Sequence, residues 1–177
     1  MSKPRVVLFV EDKMHDLIIT GIRDYICLES NYAIKPAEID VITLKNIGRV
    51  FNKLASYDKK AIPVGVIDDD KRKPPKFNDY SSCFERQDTK IFHVENSDKF
   101  LIVLSKESEI WLSNTFREID KNNKTIDVNE IMTISKTGKA SNSQDAKLSR
   151  LIKDSLKLRS FNINLLKHYI SILYKLR

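Results

Sequence analysis

The chain has 177 residues, 41% apolar and 31% charged, which suits one globular domain, alone or with a helical appendage, and excludes a fibre or a disordered tail. Its longest apolar runs, such as Val6 to Val10 and Phe100 to Leu104, are far shorter than the roughly 20 residues that span a bilayer, so no membrane protein is expected. The net charge of +7 is concentrated near one end: residues 136–177 carry ten Lys or Arg against only Asp145 and Asp154, and the preceding 135 residues almost balance. A basic terminal element beside a near-neutral body points to a polyanion partner, with a plain solvated helix surface as the alternative.

Arg5 to Val10 is a short β-branched run of the kind buried on both faces of a parallel sheet, and it stops at Glu11-Asp12. Met14, Leu17, Ile18, Ile22, Tyr25 and Ile26 then recur at helical spacing and predict one apolar stripe. Ile39 to Thr43 reads as a second strand, and Ile47, Val50, Phe51 and Leu54 as a second helix ending near Tyr57. A third strand, Ile62 to Ile67, runs into Asp68-Asp69-Asp70, and Asp70 to Tyr80 reads as a mobile loop. Extended segments follow at Lys90 to Val94 and Phe100 to Leu104. Beyond them Ser105 is expected to cap a helix containing Ile110, Trp111 and Phe116, and Asp127 a further one that stops at Thr137-Gly138. Asp145 to Leu158 and Asn162 to Leu176 predict an amphipathic helical hairpin packed on the preceding body. The expectation is an α/β domain with a mainly parallel sheet flanked by helices over residues 1–105, followed by a helical region with a basic hairpin over residues 106–177.

The chemistry-bearing residues lie at strand ends. In open α/β sheets ligands gather outside the carboxyl ends of the strands, where Glu11 and Asp12 end the first strand and Asp68, Asp69 and Asp70 the third. Consecutive carboxylates repel one another, and a cation relieves this. In an extended segment Asp68 and Asp70 point to one side and Asp69 to the other, so the first two can share a magnesium ion that keeps several waters and completes its shell with phosphate oxygens. A turn and a helix cap would also account for acids here.

Val7-Leu-Phe-Val-Glu-Asp-Lys13 and Val64-Gly-Val-Ile-Asp-Asp-Asp-Lys71 resemble the Toprim family of topoisomerases, primases, maturation nucleases and OLD-type nucleases, and are closest to its small OLD-like members. The resemblance covers about the first 105 residues. It implies a Toprim-like sheet, Glu11 as general acid or base, Asp68 and Asp70 (with Glu11) as ligands of Mg2+ or Mn2+, and hydrolysis of DNA or RNA. Asp12 stands where the family usually has glycine at a tight turn, so its side chain narrows the site or adds a ligand. Asp12, Asp69, Lys13 and Glu109 are possible further site residues, Glu109 reading first as part of a solvated helix face. The chain lacks the ATPase of full OLD proteins, which a protein partner would supply, and the separate domain with a tyrosine that strand passage requires. A second resemblance, to response-regulator receivers, rests on Glu11, Asp12, Asp68 and Lys106; it implies Asp68 as a phosphoryl acceptor. A non-catalytic module that binds nucleic acid or protein is a further alternative.

Lys71, Arg72 and Lys73 beside the acids, and Lys147, Arg150, Lys153 and Lys157 on the first hairpin helix, are the expected nucleic-acid contacts. His15, His93 and His168 are scattered and none stands at metal-ligand spacing with another. Met1 leads almost directly into the first strand without a secretory signal, which predicts a cytoplasmic protein. Cys27 and Cys83 have no disulfide or zinc spacing and read as reduced, largely buried thiols.

Overall fold

The computed structural model describes residues 3–69, 72–86, 88–119 and 142–176. Asp70, Lys71 and the helix expected from Asp127 lie outside the described residues. The elements run β1 (Val6–Val10), α1 (Lys13–Glu29), β2 (Ile39–Thr43), α2 (Ile47–Ala55), β3 (Ile62–Asp68), β4 (Tyr80–Arg86), β5 (Thr89–Val94), β6 (Phe100–Leu104), α3 (Ser108–Ile119), α4 (Asn142–Lys157) and α5 (Phe161–Lys175). Among the described residues this is an α/β protein with one six-stranded mixed sheet, ordered β2-β1-β3-β6-β5-β4 and flanked by five helices. The pairs β1–β2, β1–β3 and β3–β6 are parallel, whereas β5 and β4 are added antiparallel.

Two cores lie on opposite faces of the sheet, as the alternation of side chains along a strand requires. Val6, Leu8 and Val10 of β1 face Met14, Ile18 and Ile22 of α1 together with Trp111 of α3, Leu148 and Ile152 of α4, and Leu166 and Ile170 of α5. Val7 and Phe9 face the other way, onto Val50, Phe51 and Leu54 of α2. Each fully buried aliphatic side chain contributes about 1.5–3 kcal/mol. Close approach is needed at two glycines. A Cβ on Gly65 of β3 would stand 2.8 Å from both Leu101 Cδ1 and Leu54 Cδ1, and one on Gly21 of α1 would stand 2.7 Å from Ile152 Cγ2 of α4.

Several expectations are corrected. Tyr80–Arg86, where no strand is expected from the sequence, is an edge strand; its residues are mostly polar and a bulge between Ser82 and Phe84 interrupts its period. The segment read as a mobile loop contains a 3₁₀ turn at Pro75–Asp79, held by Phe77 packed edge-on against Phe51 and Phe92. Ser105 does not cap α3: its N–H donates to the Asp88 carbonyl, and the helix begins where Trp111 N–H donates to Glu107 O. Both cysteines are free, but only Cys27 is buried; Cys83 is exposed on the edge strand. No described helix is long and apolar enough to cross a membrane.

Candidate metal centre

The chain order reverses between β1 and β3. The connection from β1 passes through α1 to β2 on one side, and the return through α2 crosses the other face, so β1 and β3 become parallel neighbours with Val10 opposite Val66. Such a switch point opens a crevice at the carboxyl ends of the two strands. Glu11, whose N–H donates to Val66 O at 3.2 Å, and Asp68 are carried to this point, and each is only 3% exposed.

A third residue joins them. Asp12 has extended backbone, φ −145°, so no glycine is required at this position, and it caps α1 instead of narrowing the site. Its Oδ1 accepts from the N–H groups of Met14 at 2.9 Å and His15 at 3.1 Å. The same oxygen stands 2.8 Å from Nδ1 of the His15 ring. The imidazole, fully buried in the first turn of α1, thereby turns its other nitrogen inward, where Nε2 lies 3.0 Å from Asp68 Oδ1. One ligand atom from each of Glu11, His15 and Asp68 lies within 4.8 Å of the others, and this is the group among the described residues able to hold a metal ion.

The charges follow from this gathering. Burial works against a charged His15, but Asp12 and Asp68 outweigh it and raise the imidazole pKa to about 10. Burial also opposes the Asp12 carboxylate, yet its bonds from His15 and Met14 and the nearby imidazolium lower it to about 2. Burial raises the Asp68 pKa; His15 counteracts this, and the neighbouring carboxylates Asp12 and Glu11 reinforce it.

The remaining candidates divide. Asp69 faces away, as expected from strand alternation, and is engaged by Lys90 at 3.1 Å and Lys73 at 3.3 Å. Lys73 also donates to the Asp68 carbonyl at 2.9 Å, so it pins the end of β3. Arg72 is exposed next to it. Glu109 is 7% exposed in the first turn of α3 and accepts from Ser108 Oγ at 3.1 Å; the solvated-face reading is wrong for it, and it is not a member of the three-residue group. Lys13 pairs with Asp145 at 2.9 Å, which fastens the start of α4 beside the centre. From α4 the side chains of Lys147, Arg150, Lys153 and Lys157 project into solvent, opposite buried Leu148 and Ile152.

Spacing between histidines gives no sign of His15 as a site residue. The usable signal was the cap: with Asp12 at the N-cap, position 15 is the third helical residue, whose side chain reaches back over the helix start. Comparison with models of known protein families, with curated proteins and with solved structures gives no match.

Proposed function

We propose that this is a Toprim-like enzyme that hydrolyses phosphodiester bonds of DNA or RNA with a divalent ion held by Glu11 and Asp68. The observation that carries the reading is the convergence of these two carboxylates, from neighbouring strand ends, at the switch point of the sheet. The residues suit an ion: buried acids side by side are unfavourable without a positive charge, and a divalent cation meets that need with oxygen ligands. Such an ion supplies polarisation of the scissile phosphate and a more acidic bound water. Within the chain, Glu11 acts as the proton acceptor, Lys73 keeps the end of β3 in place, and the exposed cations of α4 bind the phosphate backbone. A receiver-like role has weaker support, because Asp68 is buried against His15 where a phosphoryl acceptor needs access.

The test is strand cleavage by the full chain with Mg2+ or Mn2+ on supercoiled, duplex and single-stranded substrates. Asp68→Asn and Glu11→Gln are each expected to lower the rate by at least about 10²-fold while the circular dichroism spectrum stays native. Absence of cleavage on every substrate overturns the reading, and stable phosphorylation of Asp68 by acetyl phosphate would replace it with the receiver.

A further inference from the structure

We infer that His15 is a third ligand of the ion held by Glu11 and Asp68, that Asp12 positions it, and that the site accordingly takes a divalent transition-metal ion in preference to Mg2+. The inference deepens the proposed function and rests on its reading of Glu11 and Asp68 as ligands.

Three observations carry it. First, the spacing suits one ion. Metal–ligand bonds of about 2.1 Å put adjacent ligands of an octahedron about 3.0 Å apart and opposite ones about 4.2 Å apart. His15 Nε2 and Asp68 Oδ1 are 3.0 Å apart, and the three ligand atoms all lie within 4.8 Å of one another. Second, the close pair stands as an ion pair that is poorly aligned for a hydrogen bond. Both atoms are buried and 3.0 Å apart, yet neither meets hydrogen-bond geometry with the other or with any further group. Two ligands of one ion stand in this manner, side by side instead of donor to acceptor.

Third, the ring is held from behind. Histidine ligands commonly give their second ring N–H to a carboxylate, which sets the tautomer and the ring direction. Asp12 provides that carboxylate 2.8 Å from Nδ1, and is itself fixed by the two N–H groups at the start of α1. With Nδ1–H donated to Asp12, Nε2 is the nitrogen that faces Glu11 and Asp68, and binding of an ion there releases the proton that Nε2 carries in the metal-free imidazolium. One imidazole with two carboxylates suits Mn2+, Fe2+ or Zn2+, whereas Mg2+ prefers oxygen and gives up its waters reluctantly. The competing explanation is an Asp12–His15–Asp68 ion-pair chain that never meets a metal.

Pulsed electron paramagnetic resonance on the metal-free full chain loaded with Mn2+ separates the two. The expected result is one bound ion whose spectrum shows coupling to an imidazole nitrogen, and displacement by Mg2+ only at a concentration at least about tenfold higher. His15→Gln should abolish the nitrogen coupling, and Asp12→Asn should weaken Mn2+ binding about 10–100-fold. Should His15→Gln fail to fold, the wild-type spectrum alone decides. Bound Mn2+ without nitrogen coupling, or equal displacement by Mg2+, overturns the inference and leaves the two carboxylates as an oxygen site. No Mn2+ bound by the wild-type chain overturns the carboxylate reading and the inference with it. Nitrogen-coupled Mn2+ in a chain that cleaves no nucleic acid supports the inference and sinks the nuclease reading alone.

Discussion

His15 couples the stability of the protein to pH in a direction set by its neighbours. Its pKa rises from an ordinary 6.5 to about 10 in the folded chain, so its stabilising contribution is fully present below 6.5 and is lost as pH rises through about 10. Asp12 shifts from 3.8 to about 2, so its contribution is present above 3.8 and is lost as pH falls through about 2. The raised Asp68 pKa acts in the same direction from a lower starting point, because a carboxyl that resists ionisation weakens the fold as pH rises past its ordinary 3.8. Thermal unfolding of the metal-free chain should therefore show a midpoint that declines between pH 6.5 and 10, and His15→Gln should flatten the decline. Equal slopes in the two proteins would mean that the imidazole carries no charge between Asp12 and Asp68.

At the scale of an element, α4 has two separable faces. Leu148, Ile152 and Leu156 are buried toward α1, α3 and α5, whereas Lys147, Arg150, Lys153 and Lys157 are exposed, with Arg150 only loosely paired to Asp154 at 4.0 Å. Exposed ion pairs of this kind contribute little to stability. Replacing the four cations by Gln should weaken binding to nucleic acid and flatten the dependence of log affinity on log salt by about three to four units, since each phosphate contact releases condensed counterions. The melting temperature should change little. Unchanged affinity and slope would identify this face as solvated surface and move the search for a polyanion contact to Arg72 and its surroundings.

For the whole molecule, one apolar cluster joins the sheet, α1, α3 and the α4–α5 hairpin, and Trp111 lies fully buried inside it with its indole N–H donated to Thr89 Oγ1 at 3.1 Å. Further ties cross the same boundary: Lys13 to Asp145, Lys167 to Glu29 at 2.8 Å, and Gly21 against Ile152. Residues before and after position 105 should accordingly unfold together. Trp111 fluorescence and far-ultraviolet dichroism are expected to give coincident denaturant transitions, and Leu156→Ala to shift both by about 2–5 kcal/mol. A hairpin transition separate from that of the sheet would show two units.

The local alphabet of this chain was legible without a structure wherever neighbours in sequence carry the information. Short apolar runs mark β1, β2, β3 and β6, with acids at the ends of β1 and β3, and three- and four-residue spacing marks α1, α2 and the hairpin, because a strand or helix declares its buried face through its own period. The acids at the ends of β1 and β3 were legible for the same reason, given the rule that ligands gather at strand carboxyl ends. What the tertiary structure decided is non-local. β4 is a strand only because β5 pairs with it, since its polar residues have no apolar period of their own. Glu109 is buried and Cys83 exposed because of what packs around them, which hydropathy does not report. His15 belongs with Glu11 and Asp68 because the parallel register of β1 on β3 brings residues 11 and 68 together, and the Asp12 cap then turns the ring toward both. Composition and period act along the chain, whereas a ligand set is a meeting of strand ends, and only the packed sheet determines which ends meet.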